Sequence, residues 1–408
     1  MDNVVIIGAG IGGLTLALEL HAVGIPCRVY EGVAEIAPVG VGINVLPHAS
    51  RALTRLGLEA ELSSVAVLTE ESAFYNRFGQ LIYRQPAGLA AGYEVPQYSI
   101  HRGDLQGVLL AAVLDRLGAD SVVTGWRCTG ATQDDESAVA HFIDPDGDAL
   151  PPQRGRAVVG CDGIHSAIRK MLHPDEGAPR YSGVNMWRGV TVAEPFLTGA
   201  SMVRAGWLTT GKLVVYPIRN NVDTQGRQLV NWVAEIETPQ HHRRDWNRTG
   251  RLEDFIAAFD DWHFDWLDVP ALMRSSEVVL EYPMVDQDPL DRWSFGRLTV
   301  LGDAAHPMVP RGSNGAGQSI LDARILAQQL LDSPPHSTAE ALTAYEHERL
   351  PVTAQIVTTN RTNPPDAILR EVYERTGDQP FADINDVISH EEMRRIIGGY
   401  ETLAGYAR

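Results

Sequence analysis

The first apolar residues of the chain form a short unbroken run, Val4–Ile7, stopped by Gly8. β-Branched runs of this length without polar alternation mark a strand buried on both faces of a parallel sheet. Leu14, Leu18 and Ala22 then recur at helical spacing until Gly24 breaks the pattern, and a second short run, "PCRVYEG", ends at Glu31. The opening segment therefore predicts a strand–helix–strand unit. "YSIHRGDLQGVLLAAVLDRLG" predicts a loop feeding a helix from about residue 103 to 117. "SAVAHFIDPDGDALPPQRGRAVVG" predicts an alternating strand, a tight turn and a return into another buried strand. Between about residues 181 and 282 the pattern changes: "KLVVYPI" and "QLVNWVAEI" read as sheet strands, and "RLEDFIAAFDDW" as an amphipathic helix. "RLTVLGD" then restores a buried strand and "AGQSILDARILAQQLL" a helix beginning near Gly317.

Composition sharpens this picture. Six of the eight tryptophans (Trp187, Trp207, Trp232, Trp246, Trp262 and Trp266) fall in the middle segment. With 34 basic and 52 acidic residues the net charge is −18, which suits neither a phosphate backbone nor an anionic membrane. Three cysteines without framework spacing point to a reducing compartment, and no zinc-ligand cluster or other metal set is apparent. The first strand candidate begins at Asn3, leaving no room for a signal peptide, and no apolar run approaches a membrane span. The expectation is a cytoplasmic globular protein, monomer or homodimer, with no nucleic-acid or membrane partner.

Chemistry enters with Gly8-x-Gly10-x-x-Gly13, placed between the first strand and its helix. In such a turn the first glycine permits the bend, the second lets backbone approach a pyrophosphate, and the third allows helix and strand to pack closely. Glu31, at the end of the second strand, stands where an acid can accept ribose hydroxyls. The competing reading is a glycine-rich turn kept for packing alone. Strand, helix and acid together favour a dinucleotide. The implied fold class is α/β: a Rossmann-like nucleotide-binding domain (1–72, 100–180 and 283–345) interrupted by a sheet-rich domain (73–99 and 181–282), followed by a C-terminal helical region (346–408).

Two further acids flank glycines after buried strands: Asp162-Gly163 in "VVGCDGIHSAIRK" and Gly302-Asp303 in "LTVLGDAAHPMVP". With these three motifs in order, the chain resembles the single-component FAD-dependent aromatic hydroxylases, the class of p-hydroxybenzoate and salicylate hydroxylases. "YSIHRGDLQ", "MWRGVT", "LVNWV", "DWNRTGRLED" and "YPMVDQDPL" are similar to the phenazine-pathway hydroxylases within it, and the tail after about Thr358 departs from them. The resemblance implies one non-covalent FAD, NADH or NADPH as a transient co-substrate without a second Rossmann domain, and O₂. It further implies hydroxylation, with or without decarboxylation, of a small planar aromatic or N-heteroaromatic substrate through a flavin C4a-hydroperoxide.

Site residues follow from the same resemblance. Gly8, Gly10, Gly13 and Glu31 would hold the adenosine half, with Val123 near the adenine and Arg102 near the phosphates or ribityl chain. Asp162 would help hold the flavin, and Asp303 would bond the ribityl chain. Asn314, Gly315 and Ala316 would bring amides to the flavin's pyrimidine edge, where reduced flavin carries negative charge. The Gly40-x-Gly42 loop would border the isoalloxazine. His306 reads as structural, a cap on a stiff loop. On the substrate side, Tyr216 and Arg188 could bind a phenol or carboxylate or be ordinary sheet residues. His48 could be a base on a phenolic proton, because imidazole titrates near neutrality, or only a helix cap. A non-hydroxylating flavin oxidoreductase of the same fold, or a flavoprotein that sequesters a planar ligand, is also compatible with these residues. "WHFDWL" does not match the WxWxIP motif of flavin halogenases.

Overall fold

In the computed structural model, which describes residues 3–239 and 248–407, the opening run lies at the centre of a five-stranded parallel sheet. The strand order is Leu298–Val300, Ala157–Gly160, Val4–Ile7, Cys27–Tyr30, Val122–Val123. Val4, Val5 and Ile6 are wholly buried, as expected of a sheet covered on both faces. Helix Ile11–Ala22 packs between helices Arg102–Leu117 and Gly315–Asp332. The last begins two residues before Gly317, because glycines are tolerated in an unpaired first turn.

Topology explains why the motifs are so far apart in the chain. The three strands Leu298–Val300, Ala157–Gly160 and Val4–Ile7 are parallel neighbours, so their C-terminal ends share one edge. Gly8, Asp162 and the turn Gly302–Ala304 each follow such an end. Backbone bonds stitch that edge: Cys161 N–H donates to the Ile7 carbonyl (2.8 Å) and Leu301 N–H to the Gly160 carbonyl (2.9 Å).

A second, eight-stranded sheet runs Arg248–Thr249, Val279–Asp286, Arg180–Ala193, Gln228–Glu237, Gly211–Arg219, Ser201–Trp207, Glu71–Tyr75, Leu81–Pro86. One face buries an aromatic core of Trp187, Trp232, Phe255, Phe259 and Trp262. The other face packs Met186, Val233 and Met284 against Val309, beside the Gly302 turn. The middle-segment tryptophans are therefore mostly core; Trp246 lies outside the described residues.

One expected element is corrected, and the others take more definite form. "RLEDFIAAFDDW" is not an α-helix but two short 3₁₀ turns, Leu252–Asp254 and Ile256–Phe259. Phe255 breaks them at φ −142°, and its ring stacks on Trp187 at 5.0 Å, so aromatic packing overrides helix propensity. The alternating strand Ala138–Ile143 is the middle of a three-stranded meander whose turn is closed by the Asp144 carboxylate, accepting from the amides of Asp146 and Asp148. The expected limits at 72, 282 and 345 fall inside strand Glu71–Tyr75, strand Val279–Asp286 and helix Thr338–Thr362, each continuous through those positions. The tail folds as helices Ala367–Thr376 and His390–Ala404, packed on Phe74, Ile82 and Tyr83 of the large sheet. Among the described residues no helix is long and apolar enough to cross a membrane.

Candidate functional site

The glycine-rich turn separates two demands. Gly8 has φ +100°, and a Cβ there would lie 2.6 Å from the Cys161 carbonyl oxygen. A Cβ on Gly13 would land on the Gly8 carbonyl oxygen. Both glycines are required by the fold itself. Gly10, the N-cap of helix Ile11–Ala22, has φ −76° and open space on its Cβ side, with nothing within 4 Å. No protein contact requires glycine there, which fits a ligand approaching bare backbone. The Glu31 carboxylate accepts from Ala9 N–H (2.8 Å) and Val33 N–H (3.0 Å), and Glu31 N–H donates to the Val123 carbonyl (2.8 Å). Gln106 donates to the Ala9 carbonyl (2.7 Å). Glu31 and Val123 are thus fixed beside the turn.

The opposite rim is the Gly302–Ala304 turn. Asp303 is exposed, and its carboxylate has no hydrogen-bond partner among the described residues. A Cβ on Gly315 would lie 3.7 Å from it, so the acid faces the start of helix Gly315–Asp332. The first amide bond of that helix is Gln318 N–H to the Asn314 carbonyl (2.8 Å), which leaves the amides of Gly315, Ala316 and Gly317 without intrahelical acceptors. Behind the turn, Arg169 donates to the carbonyls of Ala304 and Ala305 (2.9 Å each). His306 pairs with Asp322 (2.6 Å), which also accepts from Arg349 (2.7 Å) and from Gly302 N–H (3.1 Å). Burial alone would raise the Asp322 pKa, but His306 and Arg349 hold it below the ordinary carboxylate value. His306 therefore has a structural role.

Two expected cofactor residues differ in how free they are. Arg102 heads its helix, and its stem packs on Gly40, where an added Cβ would meet it at 3.4 Å. The Arg102 guanidinium has no hydrogen-bond partner among the described residues. Asp162 is committed: it accepts from the Ser166 hydroxyl (2.5 Å) and Ala167 N–H (2.7 Å), and burial raises its pKa. Ser166 is the N-cap of helix Ala167–Leu172, and Asp162 braces that cap by accepting from both the Ser166 hydroxyl and the helix's first amide. The bare Gly10 face, the free Asp303 carboxylate, the unpaired amides and the uncommitted Arg102 together fit a dinucleotide with a polar ribityl link.

On the substrate side, Arg188 and Tyr216 meet at one atom. The Gly42 carbonyl accepts from Arg188 (2.6 Å) and from the Tyr216 hydroxyl (2.8 Å), while Gly42 N–H donates to Asn231 (2.8 Å). A side chain on Gly42 would collide with Asn231. Both residues bind the large sheet to the Gly40–Gly42 loop, and burial raises the Tyr216 pKa. His48 does not fit the expected role of base. It is buried, neither ring nitrogen has a hydrogen-bond partner, and burial first, then Arg349 and Arg51, lowers its pKa to about 3. Its ring stacks on Tyr406 at 5.4 Å.

A cavity of about 430 Å³ is lined by Pro47, Phe74, Tyr83, Arg204, Gly312 and Tyr406, among others. Sequence reasoning missed Arg204. Its guanidinium donates to Ser72 (3.0 Å), lies over the Phe74 ring (5.3 Å), and makes no ion pair with a carboxylate among the described residues. Burial pushes its pKa below the usual guanidinium value. The available signal was alternation in "SMVRAGW": Val203 and Ala205 face the aromatic core, so a cation on the other face stands out. The tail's contribution to this cavity carried no recognisable motif.

Comparison with known proteins identifies the family. The family described as "FAD binding domain" matches residues 1–360. Phenazine 1,6-dicarboxylic acid hydroxylase PhzS of Lysobacter antibioticus is 46% identical over 364 residues, covering 88% of this chain and 89% of the relative. The 3-amino-4-hydroxybenzoate 2-monooxygenase PtnB3 of Streptomyces platensis is 35% identical over 356 residues, 86% of this chain and 84% of its own. The crystal structure of Klebsiella pneumoniae HpxO with FAD and uric acid superposes with a TM-score of 0.76 at 24% identity, covering 99% of this chain and 97% of that one, which shows the same fold.

Proposed function

From the membership of this chain in the FAD-binding-domain family of aromatic monooxygenases, we propose that it hydroxylates a planar aromatic or N-heteroaromatic carboxylate held by Arg204. One observation carries the choice of an acid. Arg204 is a half-buried cation with no ion pair to a carboxylate among the described residues, on the wall of a cavity that also touches Gly312. A charge drawn partly out of water is favoured by a counter-charge, so an anionic ligand in the cavity supplies the ion pair that the described residues leave out. Phe74 and Tyr83 offer flat walls for a ring.

FAD is the cofactor, and when bound it supplies the redox chemistry by which NADH or NADPH and O₂ are consumed in ring hydroxylation. The protein's own residues bind and orient. The Gly10 backbone and Arg102 take the phosphates, Glu31 the ribose with Val123 beside the adenine, and Asp303 the ribityl chain. Asn314 and the amides of Gly315 and Ala316 take the pyrimidine edge, and Asp162 keeps its edge turn rigid. Arg188 and Tyr216 hold the Gly42 loop against the sheet, and the cavity walls keep water from the reacting ring. The reading divides the chain into a cofactor unit built on the parallel sheet and a substrate unit built on the large sheet. The three free cysteines suit a cytoplasmic setting.

The test compares Arg204→Met with the natural protein on a panel of phenazine, quinoline, pyridine and benzene carboxylates and their carboxamides, following NAD(P)H oxidation and ¹⁸O incorporation from O₂. The variant should raise KM for the acids by roughly 10- to 100-fold, the scale of one charged hydrogen-bonded contact, and leave the amides nearly unchanged. Equal loss on acids and amides would overturn the assignment of Arg204.

A further inference from the structure

The family match ends at residue 360, yet the chain beyond it reaches the loop that starts helix Gly315–Asp332. Tyr400, on helix His390–Ala404, is buried at 3% exposure. Its hydroxyl donates to Asn360 Oδ1 (2.7 Å) and lies 3.0 Å from Asn314 Nδ2. Gly312 has φ +85°, and a Cβ there would land on the same hydroxyl. Gln318 donates to the Ala404 carbonyl (3.4 Å), so the end of the tail helix is also tied to the first turn of helix Gly315–Asp332.

These bonds have a fixed polarity. Asn360 Nδ2 points to the Val309 carbonyl (3.4 Å), which leaves Asn360 Oδ1 as the acceptor facing Tyr400. A phenol has one proton, and it goes to Asn360. Tyr400 can then only accept from Asn314, so the Asn314 NH₂ group faces Tyr400 and the Gly312 carbonyl (3.2 Å). Asn314 Oδ1 is left as a buried acceptor with no partner. Such an atom calls for a donor from a ligand. Burial pushes the Tyr400 pKa up to about 12, so the phenol keeps its proton across the working range.

We propose that Tyr400 is a positioning residue for the flavin: by orienting the Asn314 carboxamide, it presents Asn314 Oδ1 to the imide N–H of the isoalloxazine. This rests on the reading of Asn314, Gly315 and Ala316 as the residues at the flavin's pyrimidine edge. Docking of the C-terminal helix then sets how firmly that edge is held.

The experiment titrates apoprotein with FAD and with an FAD analogue methylated at the imide nitrogen, which has no proton to give. Tyr400→Phe keeps the ring and removes only the hydroxyl. It should weaken FAD binding by about 10-fold and bind the methylated analogue much as the natural protein does, because the lost contact is the one methylation already removes. Arg375→Ala, which breaks the Arg375–Glu392 ion pair (2.5 Å) within the tail, should leave FAD affinity unchanged. Equal weakening of both ligands by Tyr400→Phe, with a matching fall in apoprotein melting temperature, would reduce Tyr400 to a packing residue and overturn the proposal. Natural affinity in Tyr400→Phe with weakened affinity in Asn314→Ala would overturn it while leaving the flavin-edge reading intact. Natural affinity in both, with loss in Asp303→Ala, would remove the flavin-edge reading as well.

Discussion

Gly10→Ala and Gly13→Ala differ by one methyl in the same helical turn but should fail in different ways. At Gly13 the new Cβ meets the Gly8 carbonyl oxygen and comes within 3.3 Å of Cys161 Cβ. The first obstacle is backbone, which cannot swing aside, so the cost lies at or above the roughly 1–3 kcal/mol of ordinary overpacking. The apoprotein itself should be destabilised. At Gly10 nothing lies within 4 Å and φ is −76°, so alanine is sterically allowed. The only charge against it is a poorer N-cap, about 1 kcal/mol or less. If a phosphate approaches that backbone, however, the methyl costs binding the same ~1–3 kcal/mol, a loss of about 5- to 150-fold in FAD affinity. Apoprotein melting curves and FAD titration by fluorescence quenching separate the two quantities. Natural FAD affinity in Gly10→Ala would refute the placement of the pyrophosphate. A melting loss as large as that of Gly13→Ala would refute the claim that the Gly10 face is open.

Three further outcomes are expected. His48, with a folded pKa of about 3, takes up no proton where the unfolded chain does, so its contribution to stability is whole above about pH 6.5 and is lost as pH falls towards 3, by up to ~1.4 kcal/mol per unit. His48→Phe, which keeps the Tyr406 stack, should flatten that acid limb in urea unfolding measured between about pH 6.5 and 4.5, and parallel limbs would refute the buried neutral state. Asp303→Ala, at an exposed position, should release FAD while changing the apoprotein melting temperature little; retained flavin absorbance after gel filtration would count against its role. Lys212 pairs with Glu235 (3.0 Å) and Asp366, all three buried, so Lys212→Met leaves two uncompensated acids at a cost of about 3–5 kcal/mol, visible as faster proteolysis of the tail.

The parts of the site built from local pattern were legible in the chain. Strand, glycines, helix and Glu31 follow one another directly, and Asp162 and Asp303 each follow a buried run that reads as a strand. What could not be read depends on register between distant segments. Arg188 and Tyr216 share the Gly42 carbonyl only because strands Arg180–Ala193 and Gly211–Arg219 lie on either side of Gln228–Glu237 and present one face to a loop far earlier in the chain. Glu71–Tyr75 joins the same sheet by a parallel pairing with Ser201–Trp207, for which no turn signal exists. His48 illustrates the converse: beside a proline at a helix start it looks polar and accessible, and only the packing of Tyr406 and Gly317 around it reveals its burial.

The cavity wall supplied by the last helix has a consequence for how the protein is made. Synthesis proceeds from the N-terminus, and the parallel sheet is complete only when Leu298–Val300 emerges beside Ala157–Gly160. Tyr400 and Tyr406 emerge later still, by roughly 5 to 20 s at ordinary elongation rates. During that interval the dinucleotide turn and the Asp303 turn already face each other while the cavity lacks one side. A newborn chain thus completes the edge proposed for the cofactor before it can complete the wall of the cavity proposed for the substrate.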